Sequence, residues 1–159
     1  MGSNQIFTIK KGRHSSSHGF HLYLFKKELN FSVMMVPDCL YRDEQIPGQI
    51  NKVFGISFGV HSSRSVRIGW RGHREKIEFN TYVHLPDGQV KVDPLGPVQA
   101  GKVAFFRIWR EGKIVSVEMQ GGARWDYTFD RLPFWGYRLY PYFGGIMPAP
   151  QEMKITISF

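Results

Sequence analysis

Seven polar side chains suited to recognition chemistry fall between Lys52 and His84: Lys52, Ser65, Arg67, Arg71, Asn80, Tyr82 and His84. Arginine, lysine and side-chain amides hold a carboxylate or phosphate, and a phenol, amine or imidazole can pass a proton. Cations beside Lys52 or Tyr82 would lower either pKa toward neutrality. Spacing matters as much as type. Val66, Ile68 and Trp70 alternate with Arg67, Gly69 and Arg71. Ile77, Phe79, Thr81, Val83 and Leu85 alternate with Glu78, Asn80, Tyr82 and His84. Period-two alternation belongs to strands with one buried face, so the polar set is expected on the opposite face. The simpler explanation is a solvated sheet face, with Arg67 paired to Glu78 or Glu118. The mixture of guanidinium, amide, phenol and imidazole suits a ligand better.

The elements that must position these residues are strands. Residues 103–110 and 113–120 read as a hairpin closed by Glu111-Gly112, with Ile108 opposite Val115. That assigns Ala104, Phe106, Ile108, Val115, Val117 and Met119 to the core. It leaves Phe105, Arg107, Trp109, Ser116 and Glu118 on an outer face like that of residues 77–85. Arg107 and Trp109 therefore join the candidate ligand-binding set. Arg67, Arg71, Asn80, Tyr82, Arg107 and Trp109 are expected to converge in one hollow. Further strands are expected over 5–9, 20–25, 29–36, 53–60 and 153–159, with turns at Pro47-Gly48, Asp87-Gly88 and 93–96. A helical pattern is hinted only around 39–46. Residues 121–145 are rich in Gly, Trp, Tyr and Phe and carry no assigned strand. Many short strands between turns predict an all-β, antiparallel two-sheet sandwich, folded as one domain over 1–159.

Composition narrows the partners. The chain has 159 residues, 15% of them aromatic, and a net charge of +8. A basic body attracts polyanions, although the charge alone would also serve solubility. Cys39 is the lone cysteine, so no internal disulfide forms, and no apolar leader stands in the first ten residues. Localisation is thus expected to be cytoplasmic by default. No apolar run approaches the roughly 20 residues that cross a bilayer, so no membrane partner is expected. His14 and His18 lie in a polar loop without carboxylates nearby, so no metal and no cofactor are expected. Glu78 and Glu118 lack a glycosidase pattern around them, and no Ser-His-Asp or Cys-His signature is present.

With these residues in place, the central stretch resembles the core of the jelly-roll polysaccharide lyases of family fourteen, which cleave alginate and glucuronan-like acids. Residues 50–55, INKVFG, stand where that family has GGKLPG. Residues 65–71, SVRIGWR, stand where it has S-A-R-x-x-W-R. Asn80-Thr81-Tyr82 stands where it has two alternate tyrosines, so Asn80 replaces the first. Phe143-Gly144-Gly145, followed by Ala149-Pro150, resembles the family's FGG…AP ending. The resemblance implies a lectin-like jelly roll. It also implies substrate contacts from Ser65 and Arg67 and, if the chain is a lyase, acid and base roles for Lys52 and Tyr82, with His84 third.

The favoured expectation is binding of an acidic polysaccharide or oligosaccharide on a basic, aromatic sheet face. Its runner-up is a lyase cleaving a uronate-containing glycan by β-elimination. Two further readings stay open: a phosphate-bearing ligand such as a nucleotide or nucleic acid, and a structural or assembly jelly roll. The oligomeric state is not fixed by the sequence.

Overall fold

The computed structural model describes residues 3–24, 27–41 and 48–159, with only the backbone of Tyr23. Thirteen strands and one 3-10 turn (Pro37–Cys39) occur among them. The strands are β1 (Asn4–Ile9), β2 (Leu22–Leu24), β3 (Glu28–Met35), β4 (Asn51–Ser57), β5 (Ser65–His73), β6 (Lys76–His84) and β7 (Val90–Lys91). They continue with β8 (Pro94–Gln99), β9 (Val103–Glu111), β10 (Ile114–Met119), β11 (Arg124–Thr128), β12 (Trp135–Leu139) and β13 (Met153–Ser158). A first sheet runs in the order β1-β13-β3-β9-β10-β11, and a second in the order β2-β12-β4-β5-β6-β7, with β8 also on β6. The pairings are antiparallel, and strands adjacent in space are often far apart in sequence, as a jelly roll requires.

Alternation decides which side chains meet between the layers. Val66, Ile68, Trp70, Ile77, Phe79 and Val83 from the second sheet are sealed against Phe31, Val33, Phe106, Ile108, Val115, Val117 and Ile155 from the first. Aromatic edges lock the layers together: Phe79 meets Phe106 at 5.0 Å and Phe31 meets Phe54 at 5.0 Å, both edge to face. Thr81 also points inward, and its polarity is satisfied. Its Oγ1 lies 2.5 Å from the Tyr127 hydroxyl, which donates to Asp93 Oδ2 at 2.8 Å.

Three sequence expectations change. The β9–β10 hairpin turns at Gly112-Lys113, because Ile114 pairs with Glu111 and Val117 with Ile108. Gly112 has φ +60°, which a tight hairpin turn asks of its first central residue and which glycine supplies without strain. A slip of two residues keeps every face assignment, since the period of a strand is two. Residues 93–96 are not a free turn: β8 begins at Pro94 and pairs with β6. Proline is tolerated there because it opens an edge strand. The aromatic stretch after Gly121 supplies β11 and β12. The hinted helix at 39–46 and the Pro47-Gly48 turn fall largely on residues outside the described set.

Candidate functional site

Register places the predicted side chains. On the outer face of the second sheet, Ser65 stands opposite His84, Arg67 opposite Tyr82, Gly69 opposite Asn80 and Arg71 opposite Glu78. On the other side of β5, Lys52 pairs with Gly69 and Gly55 with Arg67. A bulge between Lys52 and Phe54 turns Lys52 to this face while Val53 and Phe54 both go to the core. Lys52, Ser65, Arg67, Asn80, Tyr82 and His84 thus form one cluster, with Arg71 at its end.

Glycines make the space for it. A Cβ on Gly55 would lie 2.5 Å from the Arg67 Cα and 2.8 Å from its Cγ. The guanidinium stem therefore lies directly over bare backbone. The 140–147 segment then folds over the face and walls it. Arg67 Nη2 donates to the Tyr140 carbonyl at 2.8 Å, and Lys52 Nζ donates to the Gly144 carbonyl at 2.9 Å. The wall is anchored from beneath. Asn51 Oδ1 accepts from Gly144 N at 2.7 Å, and Gln49 Oε1 accepts from Met147 N at 2.9 Å. A second wall comes from the loop after β4, where His61 Nδ1 lies 2.6 Å from the Tyr137 hydroxyl.

The electrostatics of this face are one-sided. Lys52 is only 8% exposed, and its Nζ sits 4.3 Å from the centroid of the Tyr82 ring. Burial, aided by the nearby Arg67 charge, brings its pKa down to about 8. Burial likewise lowers Arg67 to about 10, against an opposing pull from the Tyr82 and Tyr142 phenols. His84 is lowered by burial first, then by His61, Arg67 and Lys52; His61 is lowered by burial and then by Arg67. Both shifts favour the neutral imidazole, and Ser65 Oγ lies 3.1 Å from His84 Nδ1. Neither Arg67 nor Lys52 meets a carboxylate among the described residues, and Arg67 Nε has no hydrogen-bond partner there. Arg71, by contrast, lies 3.6 Å from Glu78. The pairing of Arg67 with Glu78 or Glu118 that a solvated face would suggest does not occur.

Arg107 and Trp109 do not join this cluster. They project from β9 on the outer face of the first sheet, on the far side of the core. Arg107 Nη2 is bound to Glu28 Oε2 at 2.8 Å, and Trp109 is 7% exposed beneath the guanidinium groups of Arg107 and Arg124. The expected single hollow is thus two surfaces, because alternation tells a strand's faces apart but not which sheet it enters. Three residues that reasoning from the sequence left aside border the cluster: His61, Tyr137 and Tyr142. Tyr137 and Tyr142 belong to the aromatic 121–145 stretch, whose density of rings was the available signal. His61 sits in a loop with no periodic signal.

Among the described residues, no group of three or more His, Cys, Asp or Glu side chains is placed to hold a metal ion. No helix there is long and apolar enough to cross a membrane.

This architecture is the jelly roll of the polysaccharide lyases. The structure is similar to an alginate lyase from Alteromonas sp. 272, with a TM-score of 0.59 and 12% identity, covering 98% of this chain and 85% of that one. It is similar to the alginate lyase AlyC3, with a TM-score of 0.61 and 12% identity over 96% of this chain and 71% of that one. A polysaccharide lyase of family eighteen, aly-SJ02, gives a TM-score of 0.60 at 11% identity, covering 98% and 85% of the two chains. The resemblance to jelly-roll polysaccharide lyases is therefore one of fold, and the family named among these structures is eighteen, not the expected fourteen. No family model and no curated protein matches the sequence.

Proposed function

We propose that the outer face of the second sheet binds a carboxylate-bearing polysaccharide, with Arg67 and Lys52 gripping a uronate carboxylate. The observation that carries this is the uncompensated pair. Two partly desolvated cations lie side by side with only carbonyl partners among the described residues. Such an arrangement is costly when empty and is relieved by an anion. Asn80 and His84 offer hydrogen bonds around it, and the Tyr82 and Tyr142 rings offer surface to a sugar's C–H face, whereas Ser65, expected to touch the ligand, is fully buried and contacts His84 instead. The fold likeness to enzymes named as alginate lyases favours a uronate over a phosphate. Titration calorimetry with alginate, glucuronan and hyaluronan oligomers, and with dextran as the neutral control, tests it. Arg67→Met should weaken uronate binding by roughly a hundredfold, in line with removal of one buried charge contact. Equal affinity of the variant, or no uronate binding at all, overturns the proposal.

A β-elimination activity is the second reading, and the contact between Lys52 and Tyr82 favours it. A base takes the proton beside the carboxylate, the carbon–carbon double bond forms, the bond to the 4-linked oxygen breaks, and an acid protonates that oxygen. The developing charge on the carboxylate is what Arg67 and Lys52 would stabilise. Tyr82 and Lys52 would serve as base and acid in this reading, with His84 beside them. Turnover is read from the ultraviolet absorbance of the unsaturated product. Tyr82→Phe should abolish it and keep binding within a few fold. Tight binding by the unmodified chain with no product leaves a binding module.

A further inference from the structure

We propose a second glycan site, for an uncharged sugar, on the outer face of the first sheet around Phe105. Register builds it as two adjacent rows across the strands. One row runs Ser158 on β13, Ser32 on β3, Phe105 on β9 and Gln120 just after β10. The next runs Asn30, Arg107, Glu118 and Arg124. A phenyl ring is thus set among two hydroxyls and an amide, with an amide, a guanidinium and a carboxylate one step away. Phe105 is 54% exposed, although it stands in the middle of a six-stranded sheet. A hollow of about 590 Å³ opens beside it, lined by Asn30, Ser32, Phe105, Arg107, Gln120 and Ser158 among others. That volume lies within the usual range for small-ligand sites.

Charge selects the occupant. Around Phe105 and Trp109, the two arginines Arg107 and Arg124 meet four carboxylates, Glu28, Glu111, Glu118 and Asp126. Arg107 is engaged by Glu28, and Arg124 by Asp126 at 3.2 Å. Among the described residues of these two rows neither arginine is left without a carboxylate, so a uronate or a phosphate is disfavoured here. An open aromatic ring edged by hydroxyl, amide and carboxylate groups matches a neutral pyranose, whose C–H face stacks and whose hydroxyls both donate and accept. Trp109 cannot be that platform, because the two guanidinium groups cover it.

The test uses the full chain with cellotetraose, maltotetraose, mannotetraose and galactotetraose, read by titration calorimetry and by amide chemical shifts. At least one should bind with shifts centred on Ser32, Phe105 and Gln120. Phe105→Ala should weaken it by about tenfold or more, since a stacked aromatic anchor dominates such sites. The same variant should melt as the parent does and bind uronate oligomers as the parent does. Arg67→Met should leave neutral-sugar binding intact, so failure of either site is distinguishable from failure of the other. Absence of saturation by all four sugars at millimolar concentration overturns the proposal, and so does unchanged affinity in Phe105→Ala. Sedimentation showing a dimer that Phe105→Ala dissociates, without sugar binding, assigns the ring to self-association and also overturns it.

Discussion

Lys52 is held in a position that an ordinary surface lysine never occupies. Its stem is buried, its ammonium touches a carbonyl and a phenol ring, and the Arg67 guanidinium is a near neighbour. The folded chain gives up this proton near pH 8, whereas the unfolded chain holds it to the ordinary value of 10.5. Between those values the unfolded state carries more protons, so this group's contribution to stability rises with pH across the window. Below about 8 the penalty is present in full. Urea unfolding of wild type and Lys52→Met at pH 7, 9 and 10.5 should therefore show the difference shifting in favour of wild type as pH rises. A difference independent of pH would mean that Lys52 titrates normally. A bound carboxylate raises the lysine's pKa, so uronate affinity should hold steady below pH 8 and decline above it. The decline should vanish in Lys52→Met.

At the scale of the strand, β4 and β5 approach so closely at Gly55 that no other residue fits. An added Cβ would lie 2.2 Å from the Val66 carbonyl oxygen, which is backbone and cannot rotate away. Gly55→Ala should therefore force the strands apart, costing about 1–3 kcal/mol as overpacking does. It should also tilt Arg67 away from the Tyr140 carbonyl. Thermal unfolding together with uronate titration checks both effects, and an unshifted melting point would show that the pair relaxes freely. The same strands show what the sequence conveyed. Val66, Ile68 and Trp70 are fully buried while Arg67 and Arg71 face outward, because alternation is a local property that the chain carries in its own order. The all-β sandwich was legible for the same reason, whereas its jelly-roll order rested on the family resemblance. The β9 residues Arg107 and Trp109 were read onto the correct face of their strand but the wrong sheet. Sheet order depends on pairings between β3 and β9, some seventy residues apart, which no local pattern encodes. His61 and Tyr142 escaped notice because loops have no period. The bulge that turns Lys52 outward adds a residue, and no alternation count anticipates it.

Taken whole, the molecule separates its charges by face. The net charge of +8 is not spread evenly over ligand surfaces. The second sheet presents Arg67 and Lys52 without carboxylate partners among the described residues, while the first sheet pairs Arg107 with Glu28 and Arg124 with Asp126. Arg107 is exposed, so its ion pair adds little to stability, yet the pairing cancels its pull on a distant anion. Salt dependence distinguishes these roles. Uronate-oligomer affinity should fall as salt rises, because each cation that meets a carboxylate displaces small counterions. Arg67→Met should reduce the slope of log affinity against log salt by about one, as expected for one lost contact to a polyanion. Arg107→Gln should leave the slope where it was, because its charge is already matched and its face points away from the ligand. Equal loss of slope in both variants would mean that the polymer wraps around both sheets, and the division of labour between the faces would fall with it.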